Sequence, residues 1–160
     1  KNQIDKILLL FIFIFFIFSI FNLRSYDDGL IYVFYIIFVT WLSDSGGYFF
    51  GKMFGGKKIN FISPNKTYSG FLGSIILSQI SYIIFMYKNF LNFNHKEFIF
   101  IFNIFSAIIV ITGDLFFSYI KRKNGIKNFS RLIPGHGGLF DRIDGLIFLT
   151  IFLQIFVYLI

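Results

Sequence analysis

Five stretches of this chain are long and apolar enough, or nearly so, to cross a bilayer: about residues 7–23, 29–48, 71–87, 98–120 and 143–160. A spanning helix needs roughly 20 mostly apolar residues. In hydrocarbon no water satisfies the backbone, so segments of this kind close their hydrogen bonds internally, as helices. The sequence therefore predicts an all-α fold: a polytopic transmembrane helix bundle with about five spans, in one membrane-embedded domain over residues 1–160. Composition agrees. Hydrophobic residues make up 56% of the chain and charged residues only 14%, too little charge for a water-soluble surface of this size. The 27 Phe residues read as filler for lipid contact. Lys1 and Lys6 precede an apolar run as in a signal peptide, but no small-x-small cleavage site follows. The chain opens at Lys1 rather than Met and closes at Ile160 inside an apolar run. Both ends read as cuts through a longer protein, of which this is the C-terminal part.

The absence of Cys excludes disulfides, zinc thiolates and thiol catalysis. The net charge of +7 would suggest nucleic acid in a soluble protein. In a membrane protein it marks cytoplasmic loops and contact with anionic lipid, and no nucleic-acid partner is expected. If Lys1 is cytoplasmic, only Arg24, Lys88 and Lys96 of the 15 Lys and Arg residues fall on the opposite side. The positive-inside rule then puts loops 49–70 and 121–142 in the cytoplasm.

Acidic residues concentrate at the same side. Asp5, Asp27, Asp28 and Glu97 sit in flanks, where solvation accounts for them. Asp44 and Asp114 lie near the cytoplasmic ends of the second and fourth spans, while Asp141 and Asp144 open the fifth. Charges within spans are costly, and they face a bundle interior, a cavity or a partner. Asp141 and Asp144 are three apart and share a helix face, and Asp114, Ser118 and Lys121 also follow helical spacing. Structural pairing with Lys or Arg reads equally well for Asp44. Asp114, Asp141 and Asp144 together point to a hard oxygen site that suits Mg²⁺ bound with a phosphate substrate. Two His and no Cys disfavour a softer metal.

Two loops carry phosphate chemistry. Gly46, Gly51 and Lys52 have P-loop spacing, but Met53 replaces the metal-binding Ser or Thr and an apolar helix precedes the segment, so it is not a P-loop. The spacing of Gly47, Gly51 and Gly55 equally permits close helix packing. Pro64 favours a turn, after which Lys66 and Thr67 offer a cation and a hydroxyl. The second loop is more specific. Pro134-Gly135-His136-Gly137-Gly138 makes a bent backbone that can approach a ligand closely. Lys121, Arg122, Lys127, Arg131 and Arg142 surround it and can neutralise phosphate oxygens, Arg in bidentate fashion.

This second stretch resembles the signature of phosphatidate cytidylyltransferases, the CDP-diacylglycerol synthases. It matches at Ser118, Lys121, Arg122, Lys127, Pro134 to Gly138, Asp141, Arg142 and Asp144. Gly113-Asp114 is similar as well, as are Asp44 with Gly51-Lys52, and Ser63-Pro64-Asn65-Lys66-Thr67 with Gly70. The likeness spans about residues 40–145. Asn128 departs from it, standing where the family has Asp, and Ser69 replaces a residue that is often acidic or an amide.

The resemblance implies a homodimeric, Mg²⁺-dependent membrane enzyme whose other members carry further spans before this region. It would transfer CMP from CTP to phosphatidate at the cytoplasmic face of a bacterial-type inner membrane. Asp114 and Asp141 are the expected metal residues, for Mg²⁺ alone or with a second cation, and Asp144 assists. Lys121, Arg122, Lys127 and Arg142 would hold phosphates, Ser118 would hydrogen-bond one, and His136 would organise the loop or donate to phosphate. Ser63, Lys66 and Thr67 join the phosphate-binding set. Three other readings stay open on the residues alone: a CTP-dependent enzyme with another lipid acceptor, a transporter with Asp44 and Asp114 on an ion path, and a non-catalytic lipid-binding relic.

Overall fold

A computed structural model of the chain describes residues 3–60, 63–86, 96–126 and 143–159. In order they form α1 (Gln3–Ser25), α2 (Gly29–Phe54), β1 (Lys58–Asn60), β2 (Ser63–Thr67), α3 (Tyr68–Met86), α4 (Lys96–Lys123) and α5 (Asp144–Leu159). The helices fall where the apolar stretches placed them. Over the described residues α1, α2, α3 and α4 are each long and apolar enough to cross a membrane, while α5 is a shorter apolar helix. The chain is a membrane protein by this measure.

Large apolar side chains cover the outside of the bundle. Phe11, Phe18 and Phe21 of α1 are exposed, as are Phe34, Trp41 and Phe49 of α2. This supports the reading of the many Phe residues as lipid contact. The core is narrow, with Tyr35, Ile36 and Val39 of α2 meeting Val110 of α4 and Leu149 and Leu153 of α5. Beside it lies a buried polar network. The Tyr35 hydroxyl donates at 2.9 Å toward both Asn103 Oδ1 and Ser106 Oγ. Ser81 Oγ donates to the same Asn103 oxygen at 2.9 Å, and Asn103 Nδ2 donates to Ser78 O at 2.9 Å. One amide thus joins α2, α3 and α4. Asn103→Leu strips an acceptor from two hydroxyls and a donor from a carbonyl. It is expected to lower stability by about 1–2 kcal/mol, read as a lower thermal unfolding midpoint in detergent.

The tightest contact is between α2 and α3, and glycine makes it. A Cβ at Gly46 would strike Gly73 O and would lie 2.8 Å from Leu77 Cβ. A Cβ at Gly70 would lie 2.7 Å from Gly47 O, and one at Gly47 would lie 2.7 Å from Ser74 Oγ. The packing role expected of Gly47 and Gly51 is therefore real, with Gly70 and Gly73 as the facing surface. Gly55 is different. It ends α2 with φ of 59° and an N–H bond to Gly51 O at 3.1 Å, a left-handed conformation that favours glycine, and nothing stands within 4 Å of its Cβ position.

Three expectations need correction. Residues 49–54, expected in a loop, continue α2, because the glycines that suggested a turn are pressed against α3. Strands β1 and β2 pair as an antiparallel hairpin with Lys58 opposite Thr67 and Asn60 opposite Ser63. Strands of 3 and 5 residues are too short to announce themselves by period, and Pro64 falls within β2 of a two-stranded sheet, where every strand is an edge. Asp5, assigned to solvation, is 5% exposed and holds Lys123 Nζ at 2.8 Å.

Candidate active site

Four contacts bring one end of each helix together. Asp5 at the start of α1 meets Lys123 at the end of α4. Ser69 at the start of α3 donates to Gly55 O just past α2. Lys66 of β2 meets Asp114 of α4, and Lys121 of α4 meets Asp144, the first residue of α5. The same end carries Lys52, Lys58, Arg122 and Lys123, so the basic collar and the acidic cluster share one pole of the bundle. Asp44 lies ten residues before the end of α2 and Asp114 nine before the end of α4. At 1.5 Å per residue both stand roughly 14–15 Å below those helix tips, at nearly one depth.

A cleft of about 170 Å³ opens at that depth. Ser43, Asp44, Gly47 and Tyr48 of α2 line one wall, and Gly70, Phe71 and Ser74 of α3 another. Ile111 and Asp114 of α4, Ile59 of β1 and Lys66 and Thr67 of β2 complete it. The glycine contact between α2 and α3 is therefore part of the wall. Lys66 Nζ donates to Asp114 Oδ2 at 3.0 Å, with the side chains 30% and 19% exposed. The hairpin thus delivers an ammonium into the bundle from outside its helices.

Asp114 also faces α5. A Cβ on Gly145 would lie 2.9 Å from Asp114 Oδ1, and one on Gly113 would lie 3.1 Å from Asp144 O. Glycine on both helices lets the two aspartates approach. The Gly145 N–H donates to Asp144 Oδ1 at 3.1 Å, while Asp144 Oδ2 lies 3.9 Å from Lys121 Nζ, too far for a hydrogen bond and within Coulomb reach. Thr67 has a local task as well. Its Oγ1 accepts the Gly70 N–H at 3.1 Å, an N-cap that starts α3, and it lies 2.9 Å from Ser69 Oγ.

Of the residues expected at the site, Asp114, Asp144, Lys66, Lys121 and Thr67 come together here. Ser118 is half-buried one turn beyond Asp114, and Arg122 is exposed on the last turn of α4. Ser63 belongs to β2, but its side chain lies outside what is described. Lys127, His136, Asp141 and Arg142 lie outside the described residues. Asp44, Tyr48, Phe71 and Gly145 are wall or contact residues that the sequence reading left out of the site. Asp44 had a usable signal, a carboxylate within an apolar span.

The chemistry available is that of a partly buried, hard-oxygen cluster. Asp44, Asp114 and Asp144 face the ammoniums of Lys66 and Lys121, which leaves carboxylate in excess. Asp44 is exposed and Asp114 and Asp144 are half-buried, so these carboxylates are open to a cation from solution. The donor type fits a small oxygen-seeking divalent ion such as Mg²⁺. Among the described residues no three acidic or His side chains close into a cage, so a full coordination shell needs a group from elsewhere, such as Asp141, a substrate phosphate or water.

Residues 2–160 match the family described as the cytidylyltransferase family. The chain is similar to the phosphatidate cytidylyltransferase of Staphylococcus haemolyticus, with 40% identity over 131 residues, 81% of this chain and 50% of that protein. The Staphylococcus aureus protein of the same name is 39% identical over the same length and shares. That of Bacillus subtilis is 38% identical over 134 residues, 82% of this chain and 49% of that protein. The chain spans about half the length of the curated relatives it matches. A family match that takes in every described element, including the hairpin and both helices bearing the paired aspartates, leads to one conclusion: this chain belongs to the cytidylyltransferase family.

Proposed function

We propose that the protein containing this chain is a phosphatidate cytidylyltransferase. It transfers CMP from CTP to phosphatidate, giving CDP-diacylglycerol and pyrophosphate for phospholipid biosynthesis. The observation that carries this reading is the meeting of Lys66, Asp114, Lys121 and Asp144 from three separate elements at the basic pole of an apolar bundle. The names of the relatives point the same way. Placement at the cytoplasmic face of a bacterial-type inner membrane follows from the distribution of Lys and Arg. It suits the substrates, because CTP is water-soluble and phosphatidate lies in the leaflet. The resemblance adds a homodimer.

In this reaction a phosphate oxygen of phosphatidate forms a bond to the α-phosphorus of CTP. The bond from that phosphorus to the bridging oxygen breaks, and pyrophosphate leaves with the electron pair. Both reactants are polyanions, so much of the barrier is electrostatic. Fixed donors aimed at the developing charge lower it. Lys66, Lys121, Arg122, Lys127 and Arg142 hold phosphate oxygens, and Ser63, Thr67, Ser118 and His136 donate hydrogen bonds. The nucleophile is already ionised near neutral pH, so no strong general base is required. Asp114 and Asp141 would hold Mg²⁺, with Asp144 beside them and room in the scheme for a second cation. Bound there, the ion supplies charge neutralisation and a template for the phosphates. In this scheme Lys66 releases Asp114 and turns to substrate.

The test is turnover by the full-length protein in detergent micelles, with phosphatidate, labelled CTP and Mg²⁺ and with Asp141→Asn in parallel. The expected result is CDP-diacylglycerol and pyrophosphate from the parent and about 10²–10³-fold less from the variant, with CTP binding checked in both. A well-folded parent that makes no product with any lipid acceptor would sink the reading. Ion flux in liposomes without CTP turnover would replace it with a transporter.

A further inference from the structure

Asp5 is buried at the first turn of α1, one of three buried residues on that helix with Ser19 and Leu23. Helix α1 lies on α5 and α2 and otherwise barely meets α4. Between α1, α4 and α5 is a largely apolar cavity of about 340 Å³, bounded by Lys6, Leu9, Leu10 and Phe13 of α1, Phe117 of α4 and Ile147 of α5. Across the tip of that gap Asp5 reaches α4 with both oxygens. Oδ1 accepts from Lys123 Nζ at 2.8 Å and Oδ2 from Asn124 Nδ2 at 2.9 Å. The amide of Asn124 also donates to Ile120 O at 3.0 Å.

The end of α4 is already closed without this contact. Gly125 has φ of 67°. Its N–H bonds Arg122 O at 3.0 Å, and the N–H of Ile126 bonds Lys121 O at 3.0 Å. This is a Schellman cap, and Asp5 holds its Asn124 from outside the helix. A buried carboxylate at a span end is a costly addition unless it fixes something. The turn it grips carries Lys121, directed inward at Asp144, and Arg122, exposed beside it. Asp5 also occupies Lys123, the third cation of that turn.

We propose that Asp5 is a positioning residue for the phosphate-binding end of α4. By taking Lys123 and Asn124 it sets the rotation of the last turn, so that Lys121 faces the aspartate cluster and Lys123 is withheld from substrate. This rests on the cytidylyltransferase reading, since Lys121 and Arg122 are placed there as phosphate holders.

The test uses the full-length protein in detergent, with Asp5→Ala, Asp5→Asn and Asp5→Glu. Two readouts are paired: steady-state kinetics against CTP, and hydrogen exchange at the amides of Asn124, Gly125 and Ile126. Asp5→Ala and Asp5→Asn are expected to lower kcat/KM for CTP about tenfold, the scale of a small misplacement near reacting groups. The unfolding midpoint should stay at the wild-type value and exchange at those three amides should speed up. Asp5→Glu should recover most of the activity. Unchanged exchange and kinetics in an active protein would overturn the positioning role alone. So would an activity loss that merely tracks a lower unfolding midpoint. Faster exchange in Asp5→Ala, with a wild-type protein that makes no product, would overturn the cytidylyltransferase reading and the positioning role with it.

Discussion

Asp114→Asn is expected to cut CDP-diacylglycerol formation by about 10²–10³-fold, the largest loss of any substitution among the described residues. The position has three neighbours at once. Its Oδ2 receives Lys66 at 3.0 Å, its Oδ1 packs against Gly145 at the start of α5, and it shares the cleft with Asp44. Asn keeps the shape but loses the charge that Lys66 answers to and that, in the proposed scheme, would hold Mg²⁺. Stability should fall far less. Lys66 is 30% exposed at its side chain and can turn to water, so the ion pair accounts for about 1 kcal/mol at most. Turnover with labelled CTP, alongside size exclusion and an unfolding midpoint, separates the two effects. A variant that folds and retains near-parental turnover would remove Asp114 from the chemistry.

The second large effect is structural. Gly46→Val is expected to destabilise the protein by about 3 kcal/mol or more, enough to depress both the yield of folded protein and its unfolding midpoint in detergent. The added carbons meet the backbone of α3 at Gly73 O, with Leu77 Cβ at 2.8 Å. A flexible side chain could swing aside, but a helix backbone cannot. The two helices must therefore separate, and the close approach that small residues permit in membranes is lost. Ile76→Val on the same pair of helices is the control, because Ile76 is 56% exposed and its shortening should change little. Gly46 lies two residues after Asp44, so residual folded protein should also show impaired turnover. A fully stable Gly46→Val protein would mean that α2 and α3 do not pack as described.

How much of this was legible in the sequence depends on the range of the interaction. Apolar length is a local property, and it placed all five helices within a few residues. The exceptions have local causes too. Gly46, Gly47 and Gly51 read as a loop because the same glycines serve turns and tight helix contacts, and only the facing Gly70 and Gly73 decide between them. The hairpin was too short to show a period. The N-cap at Thr67 was legible in principle, as a Thr three residues before Gly70 at a helix start. Pairings between distant residues were not. Lys66 and Asp114 are 48 residues apart and Asp5 and Lys123 are 118 apart, and no pattern in a single sequence says which Lys meets which Asp. Asp44 stood out as a carboxylate within a span and Asp5 did not, yet only the packing shows Asp44 at the cleft and Asp5 on Lys123. The signature from Pro134 to Asp141 named the family by its residue types while lying outside the described residues.

The pairing of Lys66 with Asp114 also bears on how such a protein is made. Chains emerge and insert from the N-terminus, so β2 and α4 are in place before α5 exists. A lone carboxylate in a span resists entry into lipid. The hairpin lysine, already synthesised, can neutralise it at the moment α4 is threaded. Asp144 comes last, on the final described helix, and by facing Asp114 it restores the negative excess that the earlier pair had cancelled. In the proposed scheme the cluster would therefore take up a cation only once the bundle is closed, after the helices themselves are in the membrane.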